Sequence, residues 1–211
     1  MAAVQIKICG LTTPETLDAA VAAGATHIGL NLHPPSPRYV PLDQAAALRR
    51  QTPAHVTVVL LLVNRTPEDT LEAIAAVKPD VVQFHGDEAP QWLAAVRQHQ
   101  QVAVWKAFGV REAGAFTRAL KYRDAADLVL FDAPAGALPG GNGLAIDWSL
   151  FAGLRFAMPW GLAGGLNPGN VAEAIRLTGA PLVDTSSGVE TAPGVKDAGL
   201  IAAFCAAVRS A

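Results

Sequence analysis

Short apolar runs alternate along this chain with Ala-rich segments of helical spacing. Eight runs read as buried strands: Val4–Cys9, His27–Leu32, Val56–Val63, Val81–Phe84, Val102–Phe108, Leu128–Asp132, Pro159–Leu162 and Leu182–Asp184. Each is dense in Val, Ile or Leu and bounded by Gly, Pro or polar residues. Between them, "PETLDAAVAAG" places Leu17, Ala20 and Val21 on one helical face and reaches Gly24, a residue suited to ending a helix. "TPEDTLEAIAAVKP" offers Thr66 as N-cap and Pro67 at the first helical position, with Leu71, Ile74 and Val77 expected to face inward. "NPGNVAEAIRLTG" repeats that design with Asn167 and Pro168. The Gly/Pro-rich stretch "APAGALPGGNGLAID" breaks the rhythm after Asp132. It reads as a loop, not a domain boundary, because the alternation resumes beyond it.

Sustained βα alternation implies a parallel sheet. Eight units close most naturally into a (β/α)₈ TIM barrel, and 211 residues sit near the lower limit for that fold. The expectation is one barrel domain over residues 1–211, with a doubly wound open sheet as the alternative.

Composition narrows the function classes. Hydrophobic residues make up 51% and charged residues 16%, which argues against disorder. Sixteen Lys plus Arg against eighteen Asp plus Glu give a formal charge of −2, with no electrostatic footprint for nucleic acid. An anionic ligand must therefore be held by local groups. The longest apolar stretch, Val58 to Val63, is far shorter than the ~20 residues that span a bilayer, and "MAAVQIKICG" lacks the pattern of a signal peptide. A cytoplasmic protein without a membrane partner is expected. Cys9 and Cys205 make neither a disulfide framework nor a zinc pattern, and His85 and Asp87 lack companions at metal-ligand spacing. No metal is expected.

In a (β/α)₈ barrel, the chemistry lies at the C-terminal ends of strands and in the loops that follow. Those positions hold Cys9, Asn31, Arg38, Asn64, His85, Lys106, Asp132, Gly164, Gly165 and the segment Asp184–Gly188. Local backbone capping alone accounts for many such polar residues. The seventh and eighth loops, "LAGGLNPGN" and "DTSSGVET", carry glycines that let backbone N–H groups approach an anion, and these loops often bind phosphate in this fold. Arg38, in the proline-stiffened "SPRYV", presents a planar fork suited to a carboxylate, although a lone surface Arg is usually just solvated. Asp132 is a candidate general acid if its surroundings keep it protonated. Cys9 has an ordinary thiol pKa of ~8.5 and is a candidate base, although free Cys is often buried and inert. Cys205, on the apolar stripe of "IAAFCAAVR", fits the inert reading.

Seven stretches in order resemble the phosphoribosylanthranilate isomerase family of tryptophan biosynthesis: "KICGLT", "SPRYV", "QFHGDE", "FDAP", "LAGGLNPGNV", "DTSSGVET" and "PGVKD". They span nearly the whole chain. The resemblance implies a TIM barrel of the phosphate-binding type and an Amadori rearrangement without a cofactor. The substrate would be N-(5′-phosphoribosyl)anthranilate and the product 1-(2-carboxyphenylamino)-1-deoxyribulose 5-phosphate. It further implies Cys9 as general base and Asp132 as general acid, with Arg38 holding the anthranilate carboxylate. Substrate contacts would come from His85, Gly164, Gly165, Asp184, Ser186, Ser187 and Gly188. The partner would be this small phosphorylated molecule, and the enzyme a monomer or homodimer.

Some positions depart from the family pattern. Asn142 stands in "GGNG", Thr185 replaces a branched apolar residue, and Asn31 and His33 replace residues that are commonly apolar. Related barrels remain alternatives. An indole-forming synthase would need a Lys/Glu pair and a histidine-pathway isomerase paired aspartates, and Cys9 ending the first strand disfavours both. A non-catalytic metabolite-binding barrel is a third reading, disfavoured by the presence of both Cys9 and Asp132.

Overall fold

The structure is a computed structural model that describes residues 3–134 and 146–211. Eight parallel strands close into a barrel in sequence order. They are β1 (Gln5–Cys9), β2 (His27–Asn31), β3 (Thr57–Leu62), β4 (Val81–Phe84), β5 (Ala103–Gly109), β6 (Leu128–Asp132), β7 (Trp160–Leu162) and β8 (Leu182–Thr185). Closure comes from β1 pairing with β8, with Lys7 opposite Asp184. All eight expected strands form within a residue or two of their expected ends, and the open-sheet alternative is excluded. The strands read as apolar runs because both of their faces are covered.

Two apolar layers follow from the two-residue period. Ile6, Ile8, Ile28 and Leu30 pack outward in the large layer beneath the helices. Val59, Val81, Trp105, Leu128, Leu130 and Leu182 fill the barrel interior. Two residues further along their strands, the inward series reaches Leu61, Gln83, Asp132 and Asp184 at the mouth. The interior is therefore largely apolar in its middle, where His27 packs on Trp105, and polar where the strands end.

The surrounding helices are α1 (Pro14–Ala22), α2 (Leu42–Gln51), α3 (Pro67–Val77), α4 (Pro90–Gln100), α5 (Gly114–Ala119), α6 (Val171–Thr178) and α7 (Ala198–Arg209). Thr66 caps α3 by accepting from the Asp69 N–H, with Pro67 at its start. Gly24 takes φ +84 just past α1, the left-handed conformation expected there. Two helical details differ from expectation. Leu71 is 39% exposed, because the buried face of α3 runs through Thr70, Ala73, Ile74 and Val77. Asn167 and Pro168 do not start α6. They form a turn in which Asn167 accepts from the Gly169 N–H and Asn170 accepts from the Asn167 N–H, and α6 begins at Val171.

The chain after β6 returns to β7 through a 3₁₀ turn at Trp148–Phe151 among the described residues. Gly140–Gly143, including Asn142, lie outside those residues. A small antiparallel hairpin, β9 (Glu190–Ala192) with β10 (Val195–Lys196), follows β8 and was absent from the eight-strand reading. Among the described residues, no helix is long and apolar enough to cross a membrane.

Candidate active site

The strand ends and their loops enclose a cleft at the C-terminal mouth of the barrel. Cys9, Arg38, His85, Asp132 and Asp184 line it together with Gly164, Gly165, Ser186 and Ser187. Gly188 stands just behind this lining: a Cβ placed there would lie 1.9 Å from the Leu166 carbonyl oxygen. Residues separated by most of the chain's length are thus neighbours, as a closed barrel requires.

On the β1–β8 side, Cys9 is buried at the strand end. Burial pushes its thiol up; Lys7 opposes that shift, Asp184 adds to it, and Lys196 opposes it. Lys7 is fully buried, and its Nζ donates to Asp184 Oδ2 at 2.8 Å. Burial pushes the Asp184 carboxyl up, against the pull of Lys7. Burial also works against the Lys7 ammonium, but the charges of Asp184 and Cys9 outweigh it and hold the lysine protonated.

The β4–β6 side is built differently. Asp132 Oδ1 accepts from the Ala133 N–H at 2.7 Å, and Asp132 Oδ2 lies 3.3 Å from His85 Nε2. Gln83 Nε2 lies 3.4 Å from His85 Nδ1, behind the ring. His85 thereby stands between the amide of Gln83 and the carboxyl of Asp132.

Arg38 is tied from two directions. Its Nε and Nη2 donate to the two carboxylate oxygens of Glu190, at 2.7 and 2.8 Å. Its backbone N–H donates to Ser36 Oγ, which also accepts from Asn31 Nδ2, while Asn31 Oδ1 accepts from the His33 N–H. Asn31 therefore shapes the loop that carries Arg38. Glu190 also pairs with Lys196, whose Nζ donates to the Ser186 carbonyl, and Ser186 Oγ donates to the Cys9 carbonyl at 3.1 Å. A continuous polar belt thus links the loop after β2, the β9–β10 hairpin and the end of β1.

The glycine loops after β7 and β8 pack against each other. Gly164 and Gly165 both take positive φ, +83 and +69, and a Cβ at Gly164 would lie 2.4 Å from the Ala133 nitrogen. Thr185 Oγ1 donates to the Leu166 carbonyl at 2.7 Å, joining the two loops. Thr185, the departure from the family's frequent branched apolar residue, thus supplies a hydrogen bond between the loops. Among the described residues, the backbone N–H groups of Gly165, Ser187 and Gly188 have no acceptor within the chain. Ser187–Val189 forms a single 3₁₀ turn, so its amides come from a short turn and not from an α-helix.

Several site residues escape a reading of strand ends. Lys7 interrupts the apolar run "IKI", and its signal is the two-residue spacing to Cys9, which puts both on the inward face. Gln83 interrupts "VVQF" in the same way. Glu190 and Lys196 flank "TAPGV", whose Pro-Gly pair marks the hairpin turn. Cys205 is fully buried on α7, away from the cleft lining.

Comparison with known proteins gives a consistent picture. Residues 6–207 match the family model described as N-(5′-phosphoribosyl)anthranilate (PRA) isomerase. The protein of that name from Erythrobacter litoralis is 59% identical over 206 residues, covering 98% of this chain and 99% of the relative. The Parvibaculum lavamentivorans protein of the same name is 48% identical, covering 99% of each chain. The crystal structure of phosphoribosyl anthranilate isomerase from Thermotoga maritima superposes with a TM-score of 0.90 at 34% identity, covering 99% of this chain and 100% of that one. A phosphoribosyl anthranilate isomerase in complex with reduced 1-(o-carboxyphenylamino)-1-deoxyribulose 5-phosphate superposes at 0.87 with 33% identity, over 99% of this chain and 100% of that one. On the match across almost its entire length, this chain belongs to the N-(5′-phosphoribosyl)anthranilate isomerase family.

Proposed function

We propose that this chain isomerises N-(5′-phosphoribosyl)anthranilate to 1-(2-carboxyphenylamino)-1-deoxyribulose 5-phosphate without a cofactor, as a step of tryptophan biosynthesis, with Cys9 as base and Asp132 as acid. The observation that carries the reading is the shared cleft. It brings together a thiol and a carboxyl on different strands, an arginine on the rim and two amide-bearing loops beside them.

Opening the furanose requires a proton on the ring oxygen as its bond to the anomeric carbon breaks. Asp132 supplies that proton, and the product is a Schiff-base cation between sugar and anthranilate nitrogen. The cation acidifies the hydrogen on the second sugar carbon. Cys9, as thiolate, removes it and gives an enolamine. The first carbon then gains a proton, and the hydroxyl on the second carbon loses one as it becomes the ketone. That last proton restores Asp132, so the reaction is balanced as an isomerisation. Each acid–base step of this kind contributes ~10²–10⁴-fold.

Phosphate is held by the amides of Gly165, Ser187 and Gly188, and Gly164 allows the close approach of the two strands' ends. Arg38 directs a donor edge at the anthranilate carboxylate while Glu190 fixes the plane of its guanidinium. His85, Asp184 and Ser186 contact the sugar. Residues 1–211 act as one barrel domain, as a monomer or homodimer, in the cytoplasm. Reducing conditions there suit Cys9 and Cys205, which are both free thiols.

The deciding assay follows the fluorescence of freshly made phosphoribosylanthranilate as the enzyme consumes it, with and without chelator. Consumption at equal rates in both arms supports the reading. No consumption by folded protein overturns it.

A further inference from the structure

The role of Cys9 as base leaves a difficulty that rests on the same reading. A base must be a thiolate when the Schiff-base cation forms, yet burial favours the thiol. The groups packed around it bear on where the proton can go. Lys7 and Asp184 stand directly opposite each other in the β1–β8 pairing. Cys9 lies two residues beyond Lys7, on the same inward face. Lys7 therefore shares the inward face with two groups that can each be an anion: it is hydrogen-bonded to Asp184, and the negative charge of an ionised Cys9 favours its ammonium. Asp184 Oδ2 accepts from Lys7, while Asp184 Oδ1 is buried with no partner among the described residues.

The remaining neighbours leave this balance intact. Lys196 and Arg38 reach toward Cys9 from β10 and from the loop after β2, but both are paired with Glu190. His27 lies opposite Lys7 on β2; burial and then Lys7 hold it down to about 4, so it is neutral at physiological pH. Across the mouth, Asp132 disfavours and His85 favours ionisation of Asp184. One buried cation thus serves two acidic groups, and the stable state of such a set holds one proton between them.

We propose that Lys7, Cys9 and Asp184 form a proton-sharing triad in which Lys7 passes the Cys9 proton to Asp184 and so generates the thiolate base. The S–H bond breaks as its proton moves to Lys7 Nζ, while an N–H proton of Lys7 moves to Asp184 Oδ2. The ammonium is regenerated, the sulfur becomes a thiolate and the carboxylate becomes a neutral acid. Nothing is oxidised, and the triad neither gains nor loses charge. After the thiolate has taken the substrate's proton and delivered it to the first carbon, the transfer reverses. Lys7 acts through Cys9 and is a positioning residue.

The test is a titration of Cys9 by thiolate ultraviolet absorbance in a Cys205→Ser background, with Cys9→Ser as blank. Asp184→Asn leaves Lys7 with Cys9 alone and should lower the proton affinity of the thiol roughly tenfold or more. The acid limb of the kcat profile should move to lower pH with it. Lys7→Met should shift the thiol titration the opposite way and cut kcat. Because Lys7→Met strands a buried carboxylate and can unfold the protein, Lys7→Met/Asp184→Asn is the electroneutral companion. It should fold, and its Cys9 should ionise at higher pH than in wild type. A Cys9 titration that does not fall in Asp184→Asn, or that matches wild type in the double variant, overturns the triad. Full turnover in Cys9→Ser would instead overturn the role of Cys9 as base, a result that the titration does not depend on.

Discussion

Two walls of the cleft carry an aspartate at the end of a barrel strand, and the two are built on different partners. Asp184 on β8 is held by the ammonium of Lys7, which has no exposure to solvent. Asp132 on β6 is held by a backbone N–H and faces His85, whose charge depends on its proton. Strand position alone makes the two carboxyls look interchangeable. Their neighbours separate them: one belongs to an ion pair beside the thiol, the other faces a histidine ring backed by Gln83. Chemistry in a barrel mouth is thus set by which residue stands next to each strand end around the ring.

The contrast can be broken most severely by removing one group from each wall. Cys9→Ser and Asp132→Asn should each lower turnover by roughly 10²–10⁴-fold. Product affinity should be nearly preserved in both, as measured by calorimetry. Cys9→Ser should still open the sugar ring, whereas Asp132→Asn should fail before that step. With substrate deuterated at the second sugar carbon, wild type should show a primary isotope effect if abstraction limits the rate.

The rim between the walls is tested next. Arg38→Lys loses the two-point fit to Glu190 and, on the role proposed for Arg38, the fit to substrate, because an ammonium cannot reproduce a planar fork. A charged hydrogen bond contributes about 1.5–3 kcal/mol, so kcat/KM should fall roughly tenfold to a hundredfold. Equal kinetics would remove Arg38 from carboxylate recognition.

A smaller effect is expected where the loops touch. Gly188→Ala places a methyl against the Leu166 carbonyl, at 1.9 Å before relaxation. Overpacking of this kind costs about 1–3 kcal/mol of stability. Product binding should weaken as the phosphate amides shift, with little change in the protonation of either wall. Unchanged product affinity would place the phosphate elsewhere.

An effect on stability alone, and only at acid pH, concerns the barrel interior below both walls. His27 accepts or donates at Thr26 Oγ1 and packs against Trp105, with burial and then Lys7 holding its pKa down to about 4. Below pH ~6.5 the unfolded chain protonates this ring while the folded protein does not. Stability should therefore fall as pH drops from about 6.5 toward 4 and then level off, by at most about 3 kcal/mol. Denaturant unfolding of His27→Gln across this range should lack that segment of pH dependence.

The contact set of the cleft was only partly legible beforehand. Polar residues that end an apolar strand announce themselves, which is why Cys9, His85, Asp132 and Asp184 stand out. Lys7 and Gln83 hide inside apolar runs, where a single polar residue reads as an interruption. Glu190 and Lys196 belong to a hairpin too short to show a strand pattern, with three and two residues in its strands.

By itself, the sequence determined the order, type and number of the elements. Eight apolar runs separated by helical spacing encode their own hydrogen-bonding pattern, because a two-residue or 3.6-residue period is a property of neighbouring residues. Motif order along the chain likewise carried the family resemblance. Only the tertiary structure decided which charges meet. Lys7 and Asp184 are separated by 177 positions and touch because β1 and β8 close the barrel in one particular register. A slip of one residue would turn Asp184 away from the interior, since successive side chains on a strand point to opposite faces. The partner of Arg38 is likewise decided by a hairpin 152 positions away, folded over the mouth after the last strand. Local periodicity carries no information about such pairings, because they depend on the closure of the whole ring.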